Sequence, residues 1–425
     1  MNSHKDIPRG KLRRGGIVGF TAAKAGMKKA GYYAKRPFLS SEANARAGRL
    51  NDEEIAKTIF DALSVLRGTA LKAAQLISME METIPEAYRN ELAKAANQVP
   101  PINKALIRKI IKTGLGKPEE VFARFKGEPF AAASLGQVHE ALSHDGDELA
   151  VKVQYPGIAD GVKSDIDMLK ALLRPTKYFE IFASCFDEIH RKVSEELDYQ
   201  KEAQNTEWFY ENLAFDNVIV PKVHRDLSTT TILTISMISG LHLDEWLATG
   251  PSKEERDNYG QLLVDLFNHT LHEKCVIHAD PNLGNYLFRD DGKLGLIDFG
   301  CIKRVGKDFA HNFTLVTEAY LRGDLETVRQ LHRNLGILYK QRGNEEEFMA
   351  FYDSWLNWLT KPFRQEYFDF SNSDDYFNNG IRYAKELYHY MDRYDGMFVY
   401  FGRAEHGLLR ILQRLGARVR MRYEL

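Results

Sequence analysis

Two aspartates and an asparagine lie close together in residues 276–300, VIHADPNLGNYLFRDDGKLGLIDFG. Asp280 is followed five positions later by Asn285, and Asp298 stands immediately before Phe-Gly. Magnesium in phosphate-transferring sites is held by hard oxygen ligands, usually one or two carboxylates together with substrate phosphates. The three side chains are therefore candidates for a metal–phosphate site, although each of them alone is also a common turn residue.

These oxygens need a short hairpin to bring them together. Residues 287–288 and 294–297 are apolar runs, and a turn-forming Asp-Gly pair stands between them. That pattern predicts two antiparallel strands. The hairpin would place Asn285 and Asp298 at the same rim, where both could bind one Mg²⁺.

A lysine on an earlier strand could supply the cation that phosphoryl transfer also requires. Residues 134–142 (SLGQVHEAL) and 148–155 (ELAVKVQY) are rich in apolar and β-branched residues, and the turn-forming SHDGD separates them. They predict another hairpin, with Lys152 in its second strand. Alone, this residue would be an exposed strand lysine. Because it precedes the three oxygen-bearing residues in the required order, it is a candidate for binding the non-transferred phosphates.

The chain divides by pattern into four segments. Residues 1–50 form a basic arm, 51–125 a helical extension, 126–239 a small strand-rich lobe and 240–425 a larger, mostly helical lobe. Within the extension, residues 52–81 predict one long helix, because apolar residues recur at steps of three and four. These residues are Ile55, Ile59, Leu63, Leu66, Ala70, Ala74 and Ile77.

Two further apolar runs complete the small lobe. NVIVPKVH at 217–224 and TTTILTISMI at 229–238 each predict a strand. The small lobe would then join the helical lobe near residues 237–240. The predicted fold class is therefore α+β, with two lobes and a helical extension before them.

The bulk composition is that of an ordinary soluble globular protein, with 44% hydrophobic and 28% charged residues. A formal net charge of −1 carries no nucleic-acid signature. The cysteines Cys185, Cys275 and Cys301 lack metal-binding spacing and indicate reduced thiols in a reducing compartment. No apolar run approaches the roughly 20 residues that span a bilayer. We therefore expect a cytoplasmic protein, either free or peripheral to a membrane.

Residues 1–40 concentrate positive charge, with ten Lys or Arg against one Asp. This segment therefore carries about +9, which leaves about −10 for the remainder. With Ile17, Phe20, Met27 and Tyr33 as apolar contacts, it could bind an anionic membrane surface. The alternatives are a solubilising, partly disordered leader and an organellar transit peptide.

In order along the chain, the Val-Lys strand, the His-x-Asp-x-x-x-x-Asn loop and the Asp-Phe-Gly resemble the protein-kinase-like fold. Where a protein kinase has a glycine-rich turn, residues 130–138 read FAAASLGQV, which alone would favour a helix cap. This stretch is similar to the alanine-rich loop of the UbiB/AarF family of atypical kinases, which includes the mitochondrial coenzyme Q kinases. EELDYQKEAQN at 195–205 and HADPNLGN at 278–285 also resemble family segments, and the similarity spans about residues 50–305.

The resemblance implies a bilobal kinase-like fold with a small β-rich N-lobe, a large helical C-lobe and an N-terminal helical extension. It also implies ATP or ADP, with Mg²⁺, as ligands. Asp280 would be the catalytic residue, while Asn285 and Asp298 would hold the metal. The nucleotide would be bound by Lys152, Ala131, Ala132, Ala133, Ser134, Gly136, Gln137 and Glu202.

A further family signature, Lys-x-Gly-Gln, corresponds to KAAQ at residues 72–75. By helical spacing, Lys72 and Gln75 lie opposite the apolar stripe, a position typical of a solvated face. The resemblance implies instead that they cover the nucleotide site near Glu196 and Asp198 and restrict access of a protein substrate. It leaves open whether Glu202 or Glu196 pairs with the strand lysine.

Three functions fit these residues. The first is a Mg²⁺-dependent, ATP-binding atypical kinase or ATPase with an isoprenoid or quinone-like lipid partner, a link that only the resemblance implies. The second is a nucleotide-sensing pseudokinase that binds a lipid or a protein. The third, a small-molecule phosphotransferase of the aminoglycoside/choline type, ranks lower because such enzymes lack the KAAQ and Glu-Leu-Asp segments. Ala74, Asn282 and Leu283 depart from the family pattern and weaken the case for catalysis without removing it.

Alanine at position 133 should stiffen the phosphate-binding loop, because it keeps its N–H donor but lacks glycine's access to positive φ. We expect Ala133→Gly to change the ratio of ATP to ADP affinities by about two- to fivefold, since Gly and Ala differ by roughly 0.5–1 kcal/mol in backbone cost. Nucleotide titrations of both proteins measure this ratio. Identical titrations would contradict the stiffness argument.

Overall fold

The computed structural model describes residues 11–38, 40–66, 91, 103–133, 135–174, 176, 179, 186–340, 344–394 and 396–422. Two compact units make up the chain. The first consists of Met1–Lys201 with Val223–Met237, and the second consists of Glu202–Lys222 with Ile238–Leu425.

The described α-helices occur in both units. They are α1 Lys11–Lys35, α2 Ser41–Leu66, α3 Lys104–Gly114, α4 Pro118–Val121, α5 Ile158–Leu173, α6 Phe186–Glu196, α7 Tyr199–Asn212, α8 Leu243–Ala248, α9 Lys253–His272, α10 Lys307–Leu321, α11 Leu325–Asn334, α12 Glu345–Leu359, α13 Asp374–Tyr390 and α14 Gly396–Leu415.

The described strands are mostly short outside the first unit. They are β1 Arg124–Ala133, β2 Gly136–Leu142, β3 Glu148–Gln154, β4 Val218–Ile219, β5 Ile232–Ser236, β6 Val276–His278, β7 Tyr286–Phe288, β8 Leu294–Leu296, β9 Ile302–Arg304, β10 Leu338–Tyr339, β11 Phe368–Asp369, β12 Met391–Arg393 and β13 Arg418–Val419.

Helices α1, α2, α5 and α6 of the first unit share one apolar core. From α2 this core takes Ile55, Ile59 and Leu63, each at most 2% exposed. These residues belong to the predicted stripe, so the helix predicted at 52–81 is confirmed as far as Leu66. Residues 67–81 lie outside the described part of the chain.

Helix α2 begins earlier than the stripe predicted. Its first residue is Ser41, and the hydroxyl of Ser40 accepts a hydrogen bond from the Ala43 N–H at 3.3 Å. A serine in this position satisfies one of the free N–H groups of the first turn. The apolar stripe is absent from these first turns, which is why periodicity alone placed the start too late.

Helix α1 makes residues 11–35 of the basic arm a regular element rather than a disordered leader. Ile17 packs against the core, contrary to its prediction as a surface contact. Phe20, Met27 and Tyr33 are 72%, 67% and 45% exposed, respectively. The described residues contain no helix whose length and apolarity would suffice to cross a bilayer.

An antiparallel sheet in the order β1-β2-β3-β5 completes the first unit. Helix α3 covers one of its faces with Ile107 and Ile111. The hairpin predicted from residues 134–155 is confirmed, because β2 and β3 pair along their full lengths. Its turn uses Gly146, whose φ of 92° lies in the region that favours glycine. The strand predicted at 229–238 is confirmed as β5.

The second unit is built around α9 and α14, which pack against β6. Its largest core contains Leu263, Val276, Phe288 and Leu412, all at most 3% exposed. The second predicted hairpin is confirmed as the antiparallel pair β7 and β8, with Tyr286 opposite Leu296.

The prediction that residues 217–224 form one strand of the small lobe is wrong. Only Val218 and Ile219 form a strand, β4, and it pairs in parallel with β8 of the second unit. Val223 instead forms an isolated bridge with Ile235 in the first unit. Local residue pattern predicts extended backbone but carries no information about such non-local pairing.

A buried histidine lies in the second helical core of this unit. His332 of α11 is 3% exposed, and the hydroxyl oxygens of Tyr352 and Tyr339 lie 2.7 and 2.9 Å from its Nδ1. Burial disfavours the charged imidazolium and lowers the pKa of His332 to about 3. The histidine is therefore a neutral hydrogen-bonding member of the core.

This lowered pKa makes stability depend on pH. Between the unfolded value of 6.5 and the folded value of about 3, only the unfolded chain takes up the proton, so stability falls as pH falls through this window. We expect His332→Gln to flatten the pH dependence of the unfolding free energy by up to about 1.4 kcal/mol per pH unit. Urea unfolding at several pH values across this window measures how the unfolding free energy depends on pH. His389→Gln, a change at an exposed histidine of the same unit, is the control, and equal slopes in all three proteins would contradict the assignment.

Candidate functional site

Strand β3 fixes the direction of Lys152. Leu149, Val151 and Val153 belong to the core beneath α3 and are fully buried. Because alternate side chains of a strand point to opposite faces, Lys152 lies on the other face of the sheet. The same face carries Gln154, whose side chain donates to the Leu197 carbonyl at 2.9 Å.

The Glu-Leu-Asp-Tyr segment lies against this face. The ammonium of Lys152 is 5.1 Å from the ring centroid of Tyr199, within the range of a cation–π contact. Tyr199 is only 1% exposed. Its role was not predicted, although it stands in the middle of a segment already identified as a family resemblance. Asp198 has a structural role beside it, because its Oδ1 accepts from the Lys201 N–H at 3.0 Å at the start of α7.

The alanine-rich stretch forms extended backbone, which rules out the helix-cap interpretation. Ala131, Ala132 and Ala133 of β1 pair with β2, and the last of them is opposite Gly136. A Cβ at Gly136 would overlap the Val153 carbonyl oxygen and lie 2.9 Å from the Tyr199 hydroxyl. Glycine is therefore required where this turn approaches β3. Ser134 lies outside the described residues.

Gln137 is a second feature of this turn. It is 2% exposed, and its Oε1 has no hydrogen-bond donor among the residues that the structure describes. A buried acceptor without a donor costs free energy unless another group satisfies it. The register places Gln137 opposite Val153, so its side chain lies on the face beneath α3 and not on the face that carries Lys152.

In the second unit, β6 and β9 hold two loops together. The strands pair antiparallel, and the Ala279 N–H donates to the Cys301 carbonyl at 2.9 Å. His278 Nε2 lies 2.7 Å from the Asp298 carbonyl oxygen, to which it donates. The histidine of the His-x-Asp loop therefore binds the backbone of the Asp-Phe-Gly segment and sets the distance between the two loops.

The loop between these strands brings Asp280 and Asn285 into contact. Asn285 Nδ2 donates to Asp280 Oδ2 at 3.0 Å and to the Asp280 carbonyl at 3.1 Å. The Asn285 carbonyl in turn accepts from the Ile297 N–H at 3.1 Å, immediately before Asp298. Asn282, a departure from the family pattern, accepts from the Gly284 N–H at 3.0 Å and closes the turn.

This arrangement suits a magnesium site. Because the amide nitrogen of Asn285 faces Asp280, its Oδ1 is the atom available to a cation. Asp298 adds a carboxylate, of which Oδ1 accepts from the Gly300 N–H at 2.9 Å. Within the described ranges no group of three or more His, Cys, Asp or Glu side chains could hold a metal. Two protein oxygens completed by phosphates and water are the usual magnesium arrangement.

Glu202 lies beside the Asp-Phe-Gly segment. It is 4% exposed, and its Oε2 is 3.9 Å from the position that a Cβ at Gly300 would occupy. Asn205, one turn later on α7, donates to the Phe299 carbonyl at 2.9 Å. The part of α7 that belongs to the second unit is therefore tied to this segment.

Sequence reasoning missed Arg403 of α14. Its Nη2 is 3.0 Å from Asp280 Oδ1, so that Arg403 and Asn285 together contact both carboxylate oxygens of Asp280. Both members of the ion pair are about one-quarter exposed. The arginine is 123 residues from its partner and stands in no recognisable motif. Nothing in the local sequence could have indicated it.

The predicted site residues fall in both units. Lys152, the alanine-rich turn, Gln137, Glu196 and Asp198 lie in the first, whereas Glu202, Asp280, Asn285 and Asp298 lie in the second. Lys72 and Gln75 lie outside the described residues. The convergence of the two sets on one nucleotide, and the choice between Glu202 and Glu196 as partner of the lysine, stay predictions.

A family model for the ABC1 atypical kinase-like domain matches residues 94–332. The chain belongs to this family. It is 32% identical over 296 residues to the atypical kinase COQ8B, mitochondrial, of Rattus norvegicus, covering 67% of this chain and 55% of that protein. It is 32% identical over 317 residues to the atypical kinase coq-8, mitochondrial, of Caenorhabditis elegans, covering 72% of this chain and 40% of that protein. The chain thus spans about half the length of these curated relatives.

A solved structure supports the fold. The Rv3197–erythromycin complex from Mycobacterium tuberculosis matches with a TM-score of 0.61 and 25% identity, covering 90% of this chain and 96% of that one. The predictions of a kinase-like fold and of UbiB/AarF membership are confirmed.

Helix α14 also supports the Asp280 loop through a close contact. A Cβ added at Gly407 would overlap the ring of Pro281, the residue after Asp280. A Cβ added at Gly402, five residues earlier on the same helix, would meet no atom within 4 Å. The two glycines form a matched pair for testing this contact.

We expect Gly407→Ala to push the loop away from α14, lower the melting temperature by several degrees and speed hydrogen exchange in residues 279–286. Gly402→Ala should leave both unchanged or slightly raise stability, because alanine favours a helix by up to about 1 kcal/mol. Calorimetry and exchange mass spectrometry measure these effects. Equal behaviour of the two variants would show that the Pro281 contact does not hold the loop.

Proposed function

We propose that this protein is a Mg²⁺-dependent, ATP-binding atypical kinase or ATPase that acts with an isoprenoid or quinone-like lipid rather than on a protein hydroxyl. The observation that carries the proposal is the hydrogen bond between Asn285 and Asp280, which leaves an amide oxygen for a cation beside Asp298. Membership of an atypical kinase-like family supports it independently.

Each residue has a defined role in this proposal. Mg²⁺, held by Asn285 Oδ1 and Asp298, would neutralise charge on the β- and γ-phosphates. Lys152 would bind the non-transferred phosphates, with Glu202 or Glu196 as its partner. Asp280 would orient the attacking hydroxyl or water.

The alanine-rich turn would bind the nucleotide. Ala131, Ala132, Ala133 and Ser134 would offer backbone N–H groups to phosphate oxygens, which bind readily to such groups. Gly136 would let the turn approach β3, whereas Gln137, whose side chain faces away from Lys152, would contribute only its backbone.

Access to the site would be limited by the helical extension. By the family resemblance, Lys72 and Gln75 would cover the nucleotide near Glu196 and Asp198, so that a bulky protein substrate could not enter. A small lipid acceptor, or water, would be the remaining choice.

The lipid link is supported by the names of the relatives and by the surface of α1. Two relatives are called mitochondrial COQ8-type atypical kinases. On α1, Phe20 and Met27 are exposed within a basic helix that could lie on an anionic membrane surface. We therefore propose a peripheral membrane location and a role connected with coenzyme Q.

A nucleotide-sensing pseudokinase is the second candidate, and the ion pair of Asp280 with Arg403 favours it. A carboxylate held by a guanidinium is less accessible to an incoming acceptor. In this version ATP or ADP would bind without transfer, and the nucleotide state would alter binding of a lipid or protein.

We expect Asp298→Asn to weaken Mg²⁺-dependent nucleotide binding at least tenfold and to abolish turnover, because a carboxylate ligand is lost. Asp290→Asn, at an exposed position in the neighbouring turn, is the control and should change neither. Calorimetric titration with Mg-ATP and a phosphate-release assay measure the two effects. Unchanged binding and turnover in Asp298→Asn would refute the role of Asp298, whereas binding without turnover in the unaltered protein would favour the pseudokinase.

A further inference from the structure

A cavity of about 600 Å³ lies in the second unit between α9, α10, α14 and the chain after β13. Its size is within the range of sites that bind small organic molecules. None of its lining residues takes part in the nucleotide site described above. The apolar members of its wall are Val264, Phe267, Leu271, Phe313, Leu321, Phe363, Leu408 and Met421.

The charged lining residues are unevenly placed. Arg322, Arg420 and Arg422 are exposed and therefore stand at the mouth. Arg322 is 3.6 Å from Glu318, and Arg422 donates to the Phe363 carbonyl at 2.6 Å. The mouth is nevertheless rich in guanidinium groups, which bind anionic oxygens well.

Glu405 of α14 is one of two carboxyls that line the cavity, and the other, Glu318, lies beside Arg322. Among the described residues, none donates a hydrogen bond to Glu405, and burial alone raises its pKa to about 7. The other titratable or charged residues that line the cavity are His272 of α9, Glu318 and Arg322 of α10, and Arg420 and Arg422 after β13. Tyr376 of α13 is close enough to Glu405 for the two groups to interact electrostatically. Below a pH of about 7 Glu405 is mostly protonated, so the wall around it then carries less charge than the mouth.

We propose that this cavity binds a single-chain anionic amphiphile, with its hydrocarbon chain against the apolar wall and its head group against the arginines of the mouth. The polarity of the site supports this orientation: an apolar interior ends at exposed guanidinium groups. When the hydrocarbon chain of the ligand lies against Glu405, it displaces the remaining water around this side chain. Loss of that water favours the protonated, neutral carboxyl. Binding should therefore be coupled to uptake of a proton.

Helix α14 connects this cavity to the Asp280 loop. Glu405 and Leu408 face the cavity, while Arg403 contacts Asp280 and Gly407 contacts Pro281. A ligand that shifts the helix would move both contacts, so the amphiphile would regulate the loop. This regulatory step rests on the proposed nucleotide function, but binding to the cavity does not.

Decane-1-sulfonate is a suitable probe because its head group stays anionic, so any pH dependence comes from the protein. Calorimetric titration of the whole protein below the micelle concentration should show binding that weakens about tenfold from about pH 6 to about pH 8, as Glu405 ionises. Decyltrimethylammonium, with the same chain and the opposite charge, is the control ligand. No sulfonate binding at either pH, or tighter binding of the ammonium, would overturn the proposal.

Variants test the two ends of the site separately. Glu405→Gln should remove the pH dependence and keep binding at about pH 8 as tight as at about pH 6. Arg420→Gln and Arg422→Gln should each weaken sulfonate binding severalfold, whereas Arg333→Gln, elsewhere in the same unit, should not. A pH dependence retained in Glu405→Gln, or equal affinities in all three arginine variants, would contradict the proposed placement.

The regulatory step has its own readout. Decane-1-sulfonate should change the rate of nucleotide turnover in the unaltered protein, and Thr317→Trp, which fills the cavity, should abolish that change while leaving the basal rate intact. Binding without any effect on a measurable turnover rate would overturn the regulation and leave the binding site standing. Absence of turnover in every protein would instead refute the proposed kinase or ATPase activity, and with it this regulatory step.

Discussion

The side-chain amide of Asn285 donates its Nδ2 to Asp280, and this donation decides which atom is left for a cation. An amide has one donor side and one acceptor side, so the oxygen must face away from the carboxylate. The backbone of Asn285 is at the same time bound to Ile297, which places Asp298 next in the chain. The placement of the oxygens proposed to bind Mg²⁺ thus follows from a small set of hydrogen bonds in and between two loops.

The Asp280 loop is also supported by α14. Arg403 contacts the second oxygen of Asp280, and Gly407 lets Pro281 approach closer than any other residue would allow. The helix belongs to the C-terminal part of the chain, far from the loop in sequence. It therefore offers a route by which a ligand bound elsewhere in the second unit could influence the loop. The cavity that contains Glu405 lies along this same helix.

The sequence was informative wherever local pattern decides structure. Alternating runs and turn residues predicted the β2–β3 and β7–β8 hairpins, and the order of Lys152, Asp280, Asn285 and Asp298 led to the correct family. It was uninformative for contacts between distant segments, such as the parallel pairing of β4 with β8 and the ion pair of Arg403. Those contacts depend on tertiary packing, which residue spacing does not encode.

A crystal structure with Mg²⁺ and a non-hydrolysable ATP analogue tests the central claim most directly. The account predicts one Mg²⁺ bound by Asn285 Oδ1 and a carboxylate oxygen of Asp298, with the Lys152 ammonium on the α- and β-phosphates of the same nucleotide. A nucleotide bound without contact to Lys152, or a metal bound away from Asn285 and Asp298, would contradict it.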